Sequence, residues 1–121
     1  YLLEPTYSEA AVTYAVTLIY QKKFDEVEKV LSGVGSEAVM YDNRIVLAYG
    51  NNGRFDKVVE LVNEKIAKGH AVGQDYFSLA GGYSGLGDNA KAVRAIEKAI
   101  EVDAGLKEQG EAMLKQLLGG K

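Results

Sequence analysis

Apolar residues recur along this chain at spacings of three and four, the period that places them on one side of an α-helix. From Ser8 to about Gln21, Ala11, Tyr14, Ala15 and Leu18 form one such row, with Ser8 as the expected N-cap. Pro5 lacks an N–H and pushes its predecessor out of helical space, so a helix is expected to end there. Phe24, Val27, Val30 and Leu31 form a second row, which Gly33 and Gly35 close. The pattern then repeats. Ser36 is the expected cap of a helix running to about Asn52, with Ile45, Val46 and Tyr49 as its apolar face. Its partner helix starts at Phe55 and carries Val58, Val59, Val62 and Ile66 until Gly69. In the third copy Tyr76, Leu79, Ala80 and Tyr83 lead to a turn at Gly87-Asp88, followed by Ala92, Ile96, Ala99 and Ile100. A last amphipathic segment has Leu106, Met113, Leu114, Leu117 and Leu118 on one side. Three helical hairpins and a closing helix are predicted.

Superimposing the turns aligns Phe24, Phe55 and Asn89, at offsets of 31 and 34 residues. The longer offset equals the period of the tetratricopeptide repeat. The stretch from Gly73 to Gly105 resembles that family most closely. Tyr76, Leu79, Ala80 and Tyr83 stand at the signature places of its first helix, and Gly87, Ala92, Ile96 and Ala99 at those of its second. Ala104 stands where the unit's closing proline belongs, Asn89 where an aromatic follows the turn, and Asp42 at the large-residue place of the second unit. The resemblance implies an all-α protein, a right-handed α-solenoid of three TPR-like helical hairpins plus a C-terminal capping helix. It divides a single domain into residues 1–7 as the remnant of a preceding repeat, 8–38, 39–72 and 73–106 as repeats, and 107–121 as the cap. More weakly, YLLEPTYSEA, GRFDKVVELVNEKIA and GLKEQGEAMLKQL resemble the C-terminal repeat region of bacterial membrane proteins of the O-antigen ligase type.

At 121 residues and 47% hydrophobic, the chain can bury a core. Its net charge is −3, and Lys and Arg are scattered among Asp and Glu rather than gathered in a stripe, which argues against nucleic acid as a partner. Without cysteine there is no thiolate zinc site, disulfide or thiol nucleophile, and the redox compartment stays open. The longest nearly apolar run, Ala10 to Tyr20, is about half of what a bilayer crossing needs. No membrane contact by this segment is expected. The chain starts at Tyr1 without a basic-then-apolar leader, and we expect a segment of a longer protein.

Candidate chemistry changes this picture little. The run AGGYSGLGD, Ala80 to Asp88, fits neither GxGxxG nor GxxxxGK and lacks a Walker lysine. Gly81, Gly82 and Gly85 each cost a helix about 1 kcal/mol relative to alanine. Close helix packing, or a groove left open by missing side chains, would offset that cost. Glu97 and Glu101 share one helical turn, but Arg94 and Lys98 neutralise them and no histidine joins them. His70 is the only histidine and is expected in a loop. Tyr14, Tyr49, Tyr76 and Tyr83 sit at core spacing. No catalytic residue, cofactor or metal site is expected.

The remaining candidate is the concave surface such arrays build from their first helices. By phase it is formed by Glu9, Val12, Val16 and Tyr20, then Met40, Asn43, Leu47 and Asn51, then Gln74, Phe77, Gly81 and Ser84. Asparagines suit an extended peptide backbone, and Val12, Val16, Leu47 and Phe77 suit apolar anchors. Two buried anchors contribute about 3–6 kcal/mol, which after association costs corresponds to roughly micromolar binding at best. Val12, Val16, Gln74 and Ser78 stand where the family's chaperone-tail clamp carries Lys, Asn and Arg, so capture of a C-terminal carboxylate is not expected. The expected function is a non-catalytic protein–protein interaction module binding a peptide or protein segment on this face. The alternative is a soluble architectural arm of a membrane glycan protein. A solenoid cut before its first whole repeat would also expose a hairpin edge open to self-association. Compartment and partner identity stay open.

Overall fold

The computed structural model describes residues 5–34 and 42–119, the side chains of residues 5–8 and 34 excepted. Among the described residues there are seven α-helices, one 3-10 turn and no strand. The helices are α1 Pro5–Tyr20, α2 Phe24–Val34, α3 Asn43–Asn51, α4 Phe55–Ala67, α5 Gly73–Gly85, α6 Asn89–Val102 and α7 Lys107–Gly119, with the 3-10 turn at Ala104–Leu106. They fall into two compact units, residues 1–54 and 55–121.

In the first unit α1 packs against α2 and α3. Ala11, Val12, Ala15, Leu18 and Ile19 of α1 are buried with Val27 and Leu31 of α2 and Ile45, Val46, Ala48 and Tyr49 of α3. The α1 core is therefore wider than the row Ala11, Ala15 and Leu18 and is centred near Ala15. Tyr14 lies roughly 100° from that centre on the helical wheel and is 52% exposed, which corrects its expected core placement. Tyr49 is only 1% exposed. Its ring stacks on Phe24 with centroids 6.1 Å apart, and the Arg54 guanidinium covers the Phe24 ring at 4.5 Å.

Two helix starts differ from expectation. Pro5 opens α1, and Ser8 lies inside the helix instead of capping it; the expected helix end before Pro5 lies outside the described residues. Proline's fixed φ suits the first helical position, where its missing N–H has no helical partner to lose. Helix α3 begins at Asn43, with Asp42 as its cap: the Asp42 carboxylate accepts from the Arg44 backbone N–H at 2.9 Å. A capping role accounts for the carboxylate at a place where the repeat pattern has a large residue. The expected cap Ser36 lies outside the described residues.

In the second unit α4 packs on α5, α5 on α6, and α6 on α7. Val58, Leu61 and Val62, then Phe77, Leu79 and Ala80, then Ala92, Ala95, Ile96 and Ala99 form its core. Asp75, 6% exposed, is its buried carboxylate. It accepts from the Val72 backbone N–H at 2.8 Å and from Lys65 Nζ at 3.0 Å, tying the start of α5 to α4. Both donors compensate the loss of hydration on burial. Closure by α7 depends on a missing side chain, since a methyl group at Gly110 would lie 2.6 Å from Ile100 Cδ1.

Three turns share one form. Lys22, Gly53 and Gly87 adopt left-handed φ values of 62°, 78° and 86°. The N–H of each donates to the carbonyl three residues back, and the next N–H to the carbonyl five back: Lys23 to Leu18 at 2.9 Å, Arg54 to Tyr49 at 2.9 Å, Asp88 to Tyr83 at 2.9 Å. One further residue separates the left-handed residue from the next helix in each case. Gly69 ends α4 with the same cap, but there three residues intervene before α5. The repeated feature is thus the cap plus a single linking residue, recurring at the 31- and 34-residue offsets read from the chain. Lys22 carries a side chain where the other two turns have glycine, at a cost of about 1–2 kcal/mol, and its Nζ donates to Asn52 Oδ1 at 3.0 Å.

Candidate functional site

The expected binding residues separate into an exposed face on the first unit and a partly covered one on the second. On α1 and α3, Glu9, Tyr20, Asn43, Leu47 and Asn51 are exposed and Val16 is half-buried. Two polar pairs join the helices across this face. Arg44 Nη1 and Nη2 donate to the two Glu9 carboxylate oxygens at 2.8 and 3.2 Å, and Asn51 Nδ2 donates to Tyr20 Oη at 3.0 Å. Arg44, Leu47 and Asn51 lie along one row of α3. Leu47 is 53% exposed, an aliphatic side chain between a guanidinium and an amide. Val12 is only 2% exposed and belongs to the core, which removes it as a partner contact. Met40 lies outside the described residues.

The electrostatics at the far end of this face are those of a shared cation. The Arg44 hydrogen bond and charge hold the Glu9 carboxyl below the usual carboxylate range. Asp42 and then Glu9 raise the Arg44 guanidinium further above its ordinary value. The site stays ionised throughout the neutral range, but the Arg44 and Glu9 side chains are exposed, which keeps its energetic weight small.

On the second unit, Gln74, Phe77, Gly81 and Ser84 form one row of α5, and α7 shares that side. Gln74 Nε2 approaches Gln109 Oε1 of α7 at 3.4 Å. Gly81 and Ser84 line a groove of about 310 Å³ together with Met113, Gln116 and Leu117. Phe77, between them, is 6% exposed and packs in the core, so it is not an exposed anchor. The closing helix thus narrows the face that the sequence pattern leaves open.

The three glycines in the C-terminal half of α5 have different roles. A methyl group at Gly82 would lie 2.9 Å from Val59 Cγ2 and 3.1 Å from Val58 Cγ1, and one at Gly85 would fall on the Phe55 ring. A methyl group at Gly81 would meet nothing within 4 Å. Close packing accounts for two of them and an open groove for the third. The run Ala80 to Asp88 is a helix end followed by a turn, and it does not form a phosphate-binding loop.

The sequence pattern makes Arg94 and Lys98 the neutralising partners of Glu97 and Glu101. Lys98 does pair with Glu101 at 2.8 Å, whereas Arg94 forms no ion pair among the described residues. Tyr76 and Tyr83, expected in the core, are half-buried and line a second groove with these cations. Their spacing suits either role, and only the position of α6 distinguishes the two. Among the described residues no group of three His, Asp or Glu side chains could hold a metal ion, and no helix is long and apolar enough to cross a membrane. No protein-family model, curated protein or solved structure gives a significant match to this chain.

Proposed function

We propose that this chain is a non-catalytic protein-interaction module of TPR-like helical hairpins that binds an extended protein segment on the exposed face of α1 and α3. The recurring turn at Lys22, Gly53 and Gly87 supports the repeat reading. The observation that carries the binding reading is Leu47, a half-exposed aliphatic side chain on a row whose neighbours Arg44 and Asn51 are already held in place by α1. A preordered polar frame around an apolar anchor lowers the ordering cost of binding a peptide. Val16 and the Tyr20 ring extend the apolar part of that face along α1.

The test is a display selection of random peptides against the intact chain, followed by calorimetry of the selected peptides with the unaltered protein and with Leu47→Ala. Loss of one anchor is expected to weaken binding by roughly ten- to a hundredfold at an unchanged melting temperature. Equal affinity for the two proteins would refute the reading. Phe77→Ala is unsuitable as the second probe, because that side chain holds the core.

A further inference from the structure

The row Tyr76, Leu79 and Tyr83 lies roughly 140° round α5 from the row of Gln74, Gly81 and Ser84, and it floors a second groove of about 430 Å³. Asn63 of α4 stands on one side and Lys91, Arg94 and Lys98 of α6 on the other. Positions 91, 94 and 98 share one helix row, about 10 Å long. Among the described residues, every charged side chain lining this groove is a cation. Acidic residues engage only the ends of the row. Glu101 pairs with Lys98 at 2.8 Å, and Asp88 lies 3.9 Å from Lys91, whose ammonium sits 5.6 Å above the Tyr83 ring. The middle cation, Arg94, is exposed and has no ion-pair partner among the described residues. Beneath it Leu79 is 6% exposed and supplies an apolar floor. Asn63 Nδ2 donates to Tyr83 Oη at 3.3 Å, which joins the α4 wall to the floor.

We infer that this groove docks a short acidic segment of another protein, with a carboxylate on Arg94 and a neighbouring apolar side chain between Tyr76 and Tyr83. The guanidinium presents a planar fork that a carboxylate fills bidentately. A row about 10 Å long matches about three residues of extended chain, so two carboxylates two residues apart span Arg94 and a flanking lysine. A short acidic peptide fits better than a long polyanion. The chain is net negative at −3, and beyond this row an extended polyanion meets repulsion. The groove belongs to the second unit and uses none of the residues of the Leu47 face.

The experiment is a 1H–15N NMR titration of the full chain with a capped peptide of about eight residues containing three glutamates and one leucine. A glutamine-for-glutamate peptide and a thymidylate oligonucleotide of equal charge serve as controls. The glutamate peptide should produce saturable shifts at Tyr76, Tyr83, Arg94 and Lys98, weakened by added salt. Arg94→Gln should weaken binding about tenfold and Arg94→Glu further, with the melting curve unchanged because the side chain is exposed. Leu47→Ala should leave this titration unaltered. Equal binding of the glutamine peptide, tighter binding of the oligonucleotide, shifts confined to another face, or equal loss with Leu47→Ala would each overturn the assignment.

Discussion

The two units join their helices by different means. In the first, α1 and α3 are bridged on their exposed face by side chains that reach across, Glu9 to Arg44 and Asn51 to Tyr20. In the second, α4 and α5 approach through side chains that are missing, with Val58 and Val59 seated against Gly82 and the Phe55 ring against Gly85. Solvated polar bridges orient helices but contribute little stability. A backbone approached by branched and aromatic side chains leaves no room to adjust, because χ1 of valine is stiff and interiors are close-packed. The first face can therefore change its surface residues without losing its fold. The second unit cannot gain a methyl group where its helices touch.

The largest effect should come from Phe77→Ala. A side chain that is 6% exposed loses about 3–5 kcal/mol on truncation, measurable as a fall in chemical-denaturation stability. A loss below about 1 kcal/mol would return Phe77 to the exposed face. Next, Gly85→Ala should destabilise by about 1–3 kcal/mol through overpacking, while Gly81→Ala, four residues earlier in the same helix, should stabilise by about 0.5–1 kcal/mol. Thermal melts of the two variants compare them directly, and shifts of the same sign would break the distinction between packed and open glycines. The smallest effect concerns the polar bridge. The folded-state pKa of Glu9 lies below its unfolded value, chiefly through the Arg44 hydrogen bond. The pair's contribution is thus present above the unfolded carboxylate pKa and is lost as pH falls through the folded one. Carboxyl 13C titration should show the Glu9 midpoint rise in Arg44→Gln; an unmoved midpoint would mean that the bridge does not form in solution.

Much of the helical order is legible in the sequence because the period of apolar residues and the chemistry of turns are local properties. Asn51-Asn52-Gly53 and Gly87-Asp88 mark their turns by composition. The turn at Lys22 carries no glycine and is marked only by its phase with the others. Pro5 is ambiguous in the sequence because proline is compatible with both the beginning of a helix and the segment beyond the end of one. The proposed binding face is legible in part. Leu47, Asn51 and Gly81 are exposed as the pattern implies, whereas Val12 and Phe77, expected on the same kind of face, are covered.

What the sequence determined by itself is the order of amphipathic helices and the positions of the turns, since both depend on residues within a few positions of one another. Tertiary structure alone decided which members of each row are covered. Gly81 and Gly85 lie one turn apart on nearly the same side of α5, and nothing in their neighbours separates them. One faces open space and the other a phenyl ring, because Phe55 stands thirty residues away in sequence and only the packing of α4 on α5 brings it there. Coverage by a distant segment is a non-local property, and a periodic pattern carries no information about it.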